Sequence, residues 1–218
     1  MRALFLQRNP SAALLGAQLL GFVLYPLMES SPTGRTLFGL FGLLVLGAAL
    51  RVVHRSPWLT WLGGLLALVI VILCVASMIA PHPKLDPWTA GFEALFYFYA
   101  AGSLIAYMVK DLVATTDELF AAGATFTLLA WAFAYVFVVC QALLPGSFGA
   151  GEAAMRTWME LLFLSVAVLS SVGLSDIVPL TPMARGLVML EAFAGVMYIA
   201  LVVSRLISMS VAASGKNR

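Results

Sequence analysis

Charge is scarce in this sequence. Asp, Glu, Lys and Arg make up 10% of its 218 residues, against about 25% in soluble domains. That shortage excludes a water-facing surface of the usual kind. The net charge is only +2, and no basic patch is interleaved with aromatics, so a nucleic-acid partner is not expected. There are two cysteines, Cys74 and Cys140, both inside apolar runs. They give no paired framework and read as small buried hydrophobes. No Gly-rich phosphate loop, Ser-His-Asp set or HExxH pattern occurs, so neither an enzyme nor an organic cofactor is expected. Hydrocarbon is what the chain has in abundance: 62% of residues are hydrophobic and the mean hydropathy is +1.02. The class is an all-α integral membrane protein.

Six apolar segments stand out: Ser11–Met28, Thr36–Val53, Trp58–Ala80, Trp88–Val109, Leu119–Leu144 and Thr181–Ser210. Most reach the roughly 20 residues a helix needs to cross the hydrocarbon core. A seventh patch, Met155–Leu169, is too short to span and reads as a re-entrant helix, which membranes tolerate where the following backbone is shielded or lines water. The first segment follows Arg2 and Arg8, but "FVLYPLMESSP" offers no small-residue cleavage site, so a cleaved signal peptide is not expected. With the N-terminus inside, the inner side holds Arg2, Arg8, Arg51, Arg55, Lys110, Arg205, Lys216 and Arg218, and the outer side Arg35, Lys84, Arg156 and Arg185. That bias predicts both termini in the cytoplasm. His54 and His82 then fall on opposite sides and form no metal site. The connections and tail are short, so no soluble ligand-binding domain is expected, and no inverted repeat of the transporter type is visible.

The segment "LSSVGLSDIVPLTP", Leu169–Pro182, interrupts this hydrocarbon. Before it, "GSFGAG" (Gly146–Gly151) descends from the fifth segment. Glu152 and Glu160 lie near the start of the short helix, suited to the positive end of its dipole, and "LLFLSVAVL" continues it. Ser170–Ser175 then has to return extended toward Asp176 and Pro179. An extended strand at membrane depth leaves carbonyls unpaired, at several kcal/mol each in lipid. Ions on a water-filled axis would satisfy them. One chain offers one carbonyl per layer, too few to replace a hydration shell, so a ring of four chains is expected.

At these residues the chain resembles the potassium channel pore-domain family. Ser170-Ser171-Val172-Gly173-Leu174-Ser175-Asp176-Ile177-Val178-Pro179 is similar to that family's Thr-Thr-Val-Gly-Tyr-Gly-Asp filter, apolar pair and proline. "PLTPMARGLVMLEAFAGVMYIALVVSRL" is similar to the inner helix of its small bacterial members, with Gly195 at the spacing of the hinge glycine. The resemblance covers about Leu119 to Arg218. It implies that Ser171, Val172, Gly173, Leu174 and Ser175 bind K⁺ through backbone carbonyls, with Ser171 adding a hydroxyl at the inner end. Asp176 would stand at the outer mouth and Gly195 would let the inner helix bend. It further implies a homotetramer in a bacterial plasma membrane, with residues 1–112 as a four-helix membrane domain and 113–218 as the pore domain.

Two positions depart from the family. Leu174 replaces the tyrosine, removing a phenol that would brace the filter, and Phe163 and Leu164 on the short helix offer no polar tip in return. Ser175 replaces a glycine expected in the left-handed region, at about 1–2 kcal/mol per chain. That strain would relax the outer filter, so weakly selective Na⁺/K⁺ conduction stands beside K⁺ preference. The fourth segment carries no arginine ladder, its only charge being Glu93, so conventional voltage sensing is not expected. Glu93 and Glu191 are intramembrane carboxylates. Glu191, four residues before Gly195, is expected to face the back of the filter or a neighbouring helix in a structural or gating role. Glu93 is expected to snorkel outward or pair with Arg35. A proton-coupled transporter using these carboxylates, and a non-conducting membrane subunit, are the competing classes. Thr181 and Pro182 read as N-cap and first turn of the last helix. Gly39, Gly42, Gly63 and Gly64 would allow close contact among the peripheral helices.

Overall fold

The structure is a computed structural model and describes residues 9–28, 41–42, 44–51, 60–79, 85–110, 116–149 and 155–215. All regular structure among them is helical, as lipid demands of a chain that must pair its own backbone groups. In chain order the helices are α1 (Pro10–Met28), α2 (44–51), α3 (Thr60–Ile79), α4 (Leu85–Lys110), α5 (Thr116–Leu143), α6 (Trp158–Leu169) and α7 (Pro182–Gly215). Three hold stretches long and apolar enough to cross a membrane: Leu85–Val109, Asp117–Leu143 and Pro182–Arg205. The 12 residues of α6 rise only about 18 Å, short of a hydrocarbon core of about 30 Å. The short helix therefore sits where the sequence predicts it. His54, His82, Glu152, Gly39, Arg35 and several of the cations used to orient the chain lie outside the described residues.

The chain divides into two compact units. The first comprises Met1–Val71 and Tyr99–Leu128. Here the buried Asp117 carboxylate accepts the Ser11 backbone N–H at 3.1 Å and the Ser11 hydroxyl at 3.0 Å. The Tyr107 hydroxyl lies 3.5 Å away. Ser11 is the second residue of α1, so the carboxylate satisfies a donor that a helix start leaves orphaned and complements its dipole. One α1 turn pair further on, Gln18 meets Thr127 of α5, with Oε1 and Oγ1 2.6 Å apart. Between these contacts, a Cβ added at Gly123 would stand 2.8 Å from Leu15 Cδ2. Glycine there lets two helices approach closely, a common device in membranes. Gly42 and Gly64 have open space around them within the described chain. A close contact of this kind falls at Gly123, where α5 carries the small residue and α1 the large one.

The second unit comprises Ile72–Phe98 and Leu129–Arg218. Its core is aromatic. Tyr97 of α4 stacks on Tyr135 of α5 at 5.7 Å and meets Trp131 edge-on at 5.5 Å. Trp158, the first residue of α6, packs against Trp131 at 5.3 Å and Tyr135 at 5.6 Å. Phe137 and Phe148 lie 5.1 Å apart. These rings carry large buried area and prefer the edge-on and offset geometries seen here. They anchor the base of α6, whose Leu161, Leu162, Leu164, Ser165, Ala167 and Leu169 are buried. The far side of α6 packs along α7.

Candidate ion pathway: short helix, extended strand and inner helix

The start of α6 is fixed by three residues close in sequence, Arg156, Thr157 and Glu160, and by Gln141 of α5. Thr157 is the N-cap: its hydroxyl accepts the Glu160 N–H at 3.3 Å, and Glu160 accepts the Thr157 N–H at 2.7 Å. This reciprocal pair satisfies two orphan donors. Arg156 reaches Glu160 at 2.8 Å and donates to the Phe148 and Gly149 carbonyls at 3.1 and 3.4 Å. Gln141 clamps the Arg156 backbone from α5, donating to its carbonyl at 2.8 Å and accepting its N–H at 3.0 Å. Glu160 stands outside the three spanning stretches. Burial alone would raise its pKa, but the Thr157 N–H and hydroxyl and the Arg156 guanidinium outweigh it and hold the carboxyl below its ordinary value.

The other end of α6 turns the chain back. Ser170 donates to the Val166 carbonyl at 3.0 Å and Ser171 to Val168 at 2.9 Å. Gly173 then reaches back to Ala167 at 2.9 Å, so the strand is tied directly to the helix it follows. Ser171 has φ 61° and Gly173 φ 67°. The left-handed serine is therefore Ser171, at the position where helices usually end on glycine. Ser175 is not left-handed, which corrects the expectation of strain there. Its N–H bonds the Gly173 carbonyl at 3.1 Å, and its hydroxyl accepts the Ile177 N–H at 3.1 Å. The hydroxyl thus organises a local turn in which a serine needs no unusual φ.

From Val172 to Leu180 the chain is non-helical. Among the described residues, the carbonyls of Ser171, Val172, Leu174 and Ser175 accept no hydrogen bond. Val172 and Leu174 are 69% and 74% exposed on the isolated chain. Asp176 is exposed and Ile177 buried. The strand is fastened beyond this point: Leu180 donates to the Ser147 carbonyl at 2.8 Å, and the Ser147 and Thr181 hydroxyls meet at 3.0 Å. The Thr181 hydroxyl accepts the Ala184 N–H at 3.3 Å, and Pro182 opens α7, so the cap and first turn read from the sequence are in place.

Two contacts one turn apart join α6 to α7. Glu191 of α7 meets Ser165 of α6, whose hydroxyl also lies 2.8 Å from the Ala130 carbonyl of α5. At Gly195, an added Cβ would come within 2.9 Å of the Leu169 Cα and carbonyl carbon. The residue expected to serve as a hinge is therefore also a contact residue, where α7 crosses the end of α6 backbone to backbone. Glu93 does not turn outward. It accepts a hydrogen bond from the Tyr135 hydroxyl; Arg35, its expected partner, lies outside the described residues. The Tyr135 rings and Ser165 were not singled out in the sequence. The Thr157-x-x-Glu160 spacing was the one legible signal there, since it is the pattern of a capping box.

A comparison with curated proteins found no match, and a comparison with solved structures found none. A family model described as "Ion channel" matches residues 123–212, from within α5 through α6 and the strand to near the end of α7. Over these residues the chain is similar to the ion channel family, which supports a pore domain of the potassium-channel type.

Proposed function

We propose that four copies of this chain surround a water-filled axis and pass K⁺ down its electrochemical gradient. The ions would bind the carbonyls of Ser171, Val172, Leu174 and Ser175, joined by that of Gly173, which also accepts the Ser175 N–H at 3.1 Å. An integral membrane protein of an ion channel family is a passive conductor rather than an enzyme. The observation that carries the finer reading is the set of unpaired carbonyls between a helix too short to span and a helix that spans. At membrane depth each would be costly unless something accepted by oxygen took the place of water. Permeant cations do so, and rings of carbonyls are how such filters are built.

The tetramer is supported by the exposed apolar residues of this region. Val172 and Leu174 on the strand and Phe193 on α7, 67% exposed, call for cover by lipid or by another chain. The C-terminal end of α6 carries partial negative charge, which favours a cation near it. Asp176 would stand at the outer mouth and draw cations in. Ser175 does not take the left-handed backbone of the family's glycine, so the outer strand departs from the family's geometry and weakly selective Na⁺/K⁺ conduction stands as the second reading. The six-span, termini-inside topology in a bacterial plasma membrane, and the division at residue 112 into a peripheral domain and a pore domain, complete the proposal.

Particle mass and ion flux test it together. The detergent-solubilised protein should have the mass of four chains, and vesicles containing it should release trapped K⁺ faster than trapped Na⁺. A clean monomer or dimer, or vesicles that hold both ions, would sink the proposal.

A further inference from the structure

Glu191 is fully buried, yet its surroundings are short of a donor. The Ser165 hydroxyl has one proton and lies against two oxygens, the Ala130 carbonyl and Glu191 Oε1. A carbonyl only accepts. An ionised carboxylate also only accepts. With Glu191 ionised, Ser165 could serve one neighbour and would turn a lone pair on the other. The second carboxyl oxygen, Oε2, is buried and has no hydrogen-bond partner. Among the described residues no basic side chain pairs with Glu191. A buried carboxylate with no counter-charge and only one shared donor is a costly arrangement in a protein. A protonated carboxyl removes both conflicts: it donates to Ser165 Oγ, which donates to Ala130, and Oε2 becomes a neutral carbonyl oxygen.

We infer that Glu191 holds a proton, and that this proton fastens the inner helix to the short helix and, through Ser165, to the Ala130 carbonyl of α5. The inference rests on residues 123–212 forming a conducting pore. The bridge lies one turn before the Gly195–Leu169 contact on both helices, so it sets how α7 meets α6. The end of α6 in turn holds the strand through the Ala167 carbonyl and the Gly173 N–H. Glu191 is therefore a positioning residue for the filter strand. Removing its proton leaves a buried charge where a donor is needed and releases the brace. The brace is intact in acid and lost as pH rises through the titration of this carboxyl. The groups that face Glu191, the Ser165 hydroxyl from α6 and the Ala130 carbonyl from α5, do not titrate. The titratable groups flanking the strand are Glu160 and Asp176.

Glu191→Gln separates this role from a merely structural one, because the amide donates to Ser165 as the protonated acid does but does not titrate. Infrared spectra of the reconstituted protein should show a protonated-carboxyl band that Glu191→Gln removes and Ser165→Ala shifts. K⁺ current through the native chain should fall about tenfold from acid to alkaline solution, the size of effect expected when a hydrogen bond to a buried charge is lost. Current through Glu191→Gln should lose that fall. An unchanged infrared band in Glu191→Gln, or the same pH profile in native chain and variant, would overturn the inference. Absence of current at every pH with the band present and Glu191-dependent would contradict the pore instead, and leave the proton on Glu191 supported.

Discussion

Replacing Gly195 with alanine asks whether glycine stands there for bending or for contact. An added Cβ would lie 2.9 Å from the Leu169 Cα and carbonyl carbon, whereas ordinary contact begins at 3.4 Å. For these carbons the shortfall is 3.4 − 2.9 = 0.5 Å, and the Leu169 carbonyl oxygen lies closer still, so the helices must part by more than that. The opposing atoms are backbone and cannot rotate away. Forcing an extra methyl into such a contact costs about 1–3 kcal/mol. Parting the helices also stretches the Ser165–Glu191 bridge one turn away, at about 1 kcal/mol more. Against this, alanine gains about 1 kcal/mol over glycine in a helix interior. The net expectation is a loss of about 1–3 kcal/mol per chain. Gly186, on the same helix with nothing within 4 Å of its added Cβ, is the comparison: alanine there should stabilise by about 1 kcal/mol. Thermal unfolding in detergent, followed by the fluorescence of the Trp131–Trp158 pair, measures both. If Gly195→Ala is as stable as Gly186→Ala, the close crossing is wrong and the glycine serves flexibility alone.

Other substitutions probe separate parts of the pathway. Ser171→Gly should stabilise the chain by about 1 kcal/mol by relieving the left-handed serine, while Ser175→Gly should not, and should lose the hydroxyl that holds Ile177; chemical denaturation of the two variants compares them. Thr157→Ala should cost about 1 kcal/mol by removing the N-cap of α6, read from the same unfolding curves. Because the folded-state pKa of Glu160 is depressed, its contribution is present above the carboxyl's ordinary value and fades as pH falls through the lowered one. Acid melts of the native chain should therefore show a loss that Glu160→Gln lacks. Thr127→Val should destabilise the first unit by about 0.6 kcal/mol, the average for a polar contact between membrane helices, with Gln18→Leu in the same background adding little.

Several of these features were legible in the sequence because they depend on local order. A patch too short to span, bounded by glycines and a polar strand, reads as re-entrant whatever surrounds it. Thr181-Pro182 reads as a helix start for the same reason. What was not legible depends on how helices cross. Nothing in the linear spacing says that Glu191 meets Ser165, since the pair is 26 residues apart and is set by the packing of α6 on α7. The partner of Glu93 is likewise chosen by tertiary packing, which brings Tyr135 of α5 to α4. The misplacement of backbone strain has a different origin. Matching Ser175 to a family glycine assigns a residue type to a position, but φ follows from local hydrogen bonds, and the end of α6 demands the left-handed turn at Ser171.

The most direct test is the reversal potential of the purified protein in a planar bilayer under opposing K⁺ and Na⁺ gradients. Ions held by the carbonyls of Ser171 to Ser175 should place it near the K⁺ equilibrium potential, and Gly173→Ala, which puts a side chain on a left-handed backbone, should abolish the current. A reversal potential midway between the two ions would contradict K⁺ preference, and a current that survives Gly173→Ala unchanged would contradict conduction through this strand.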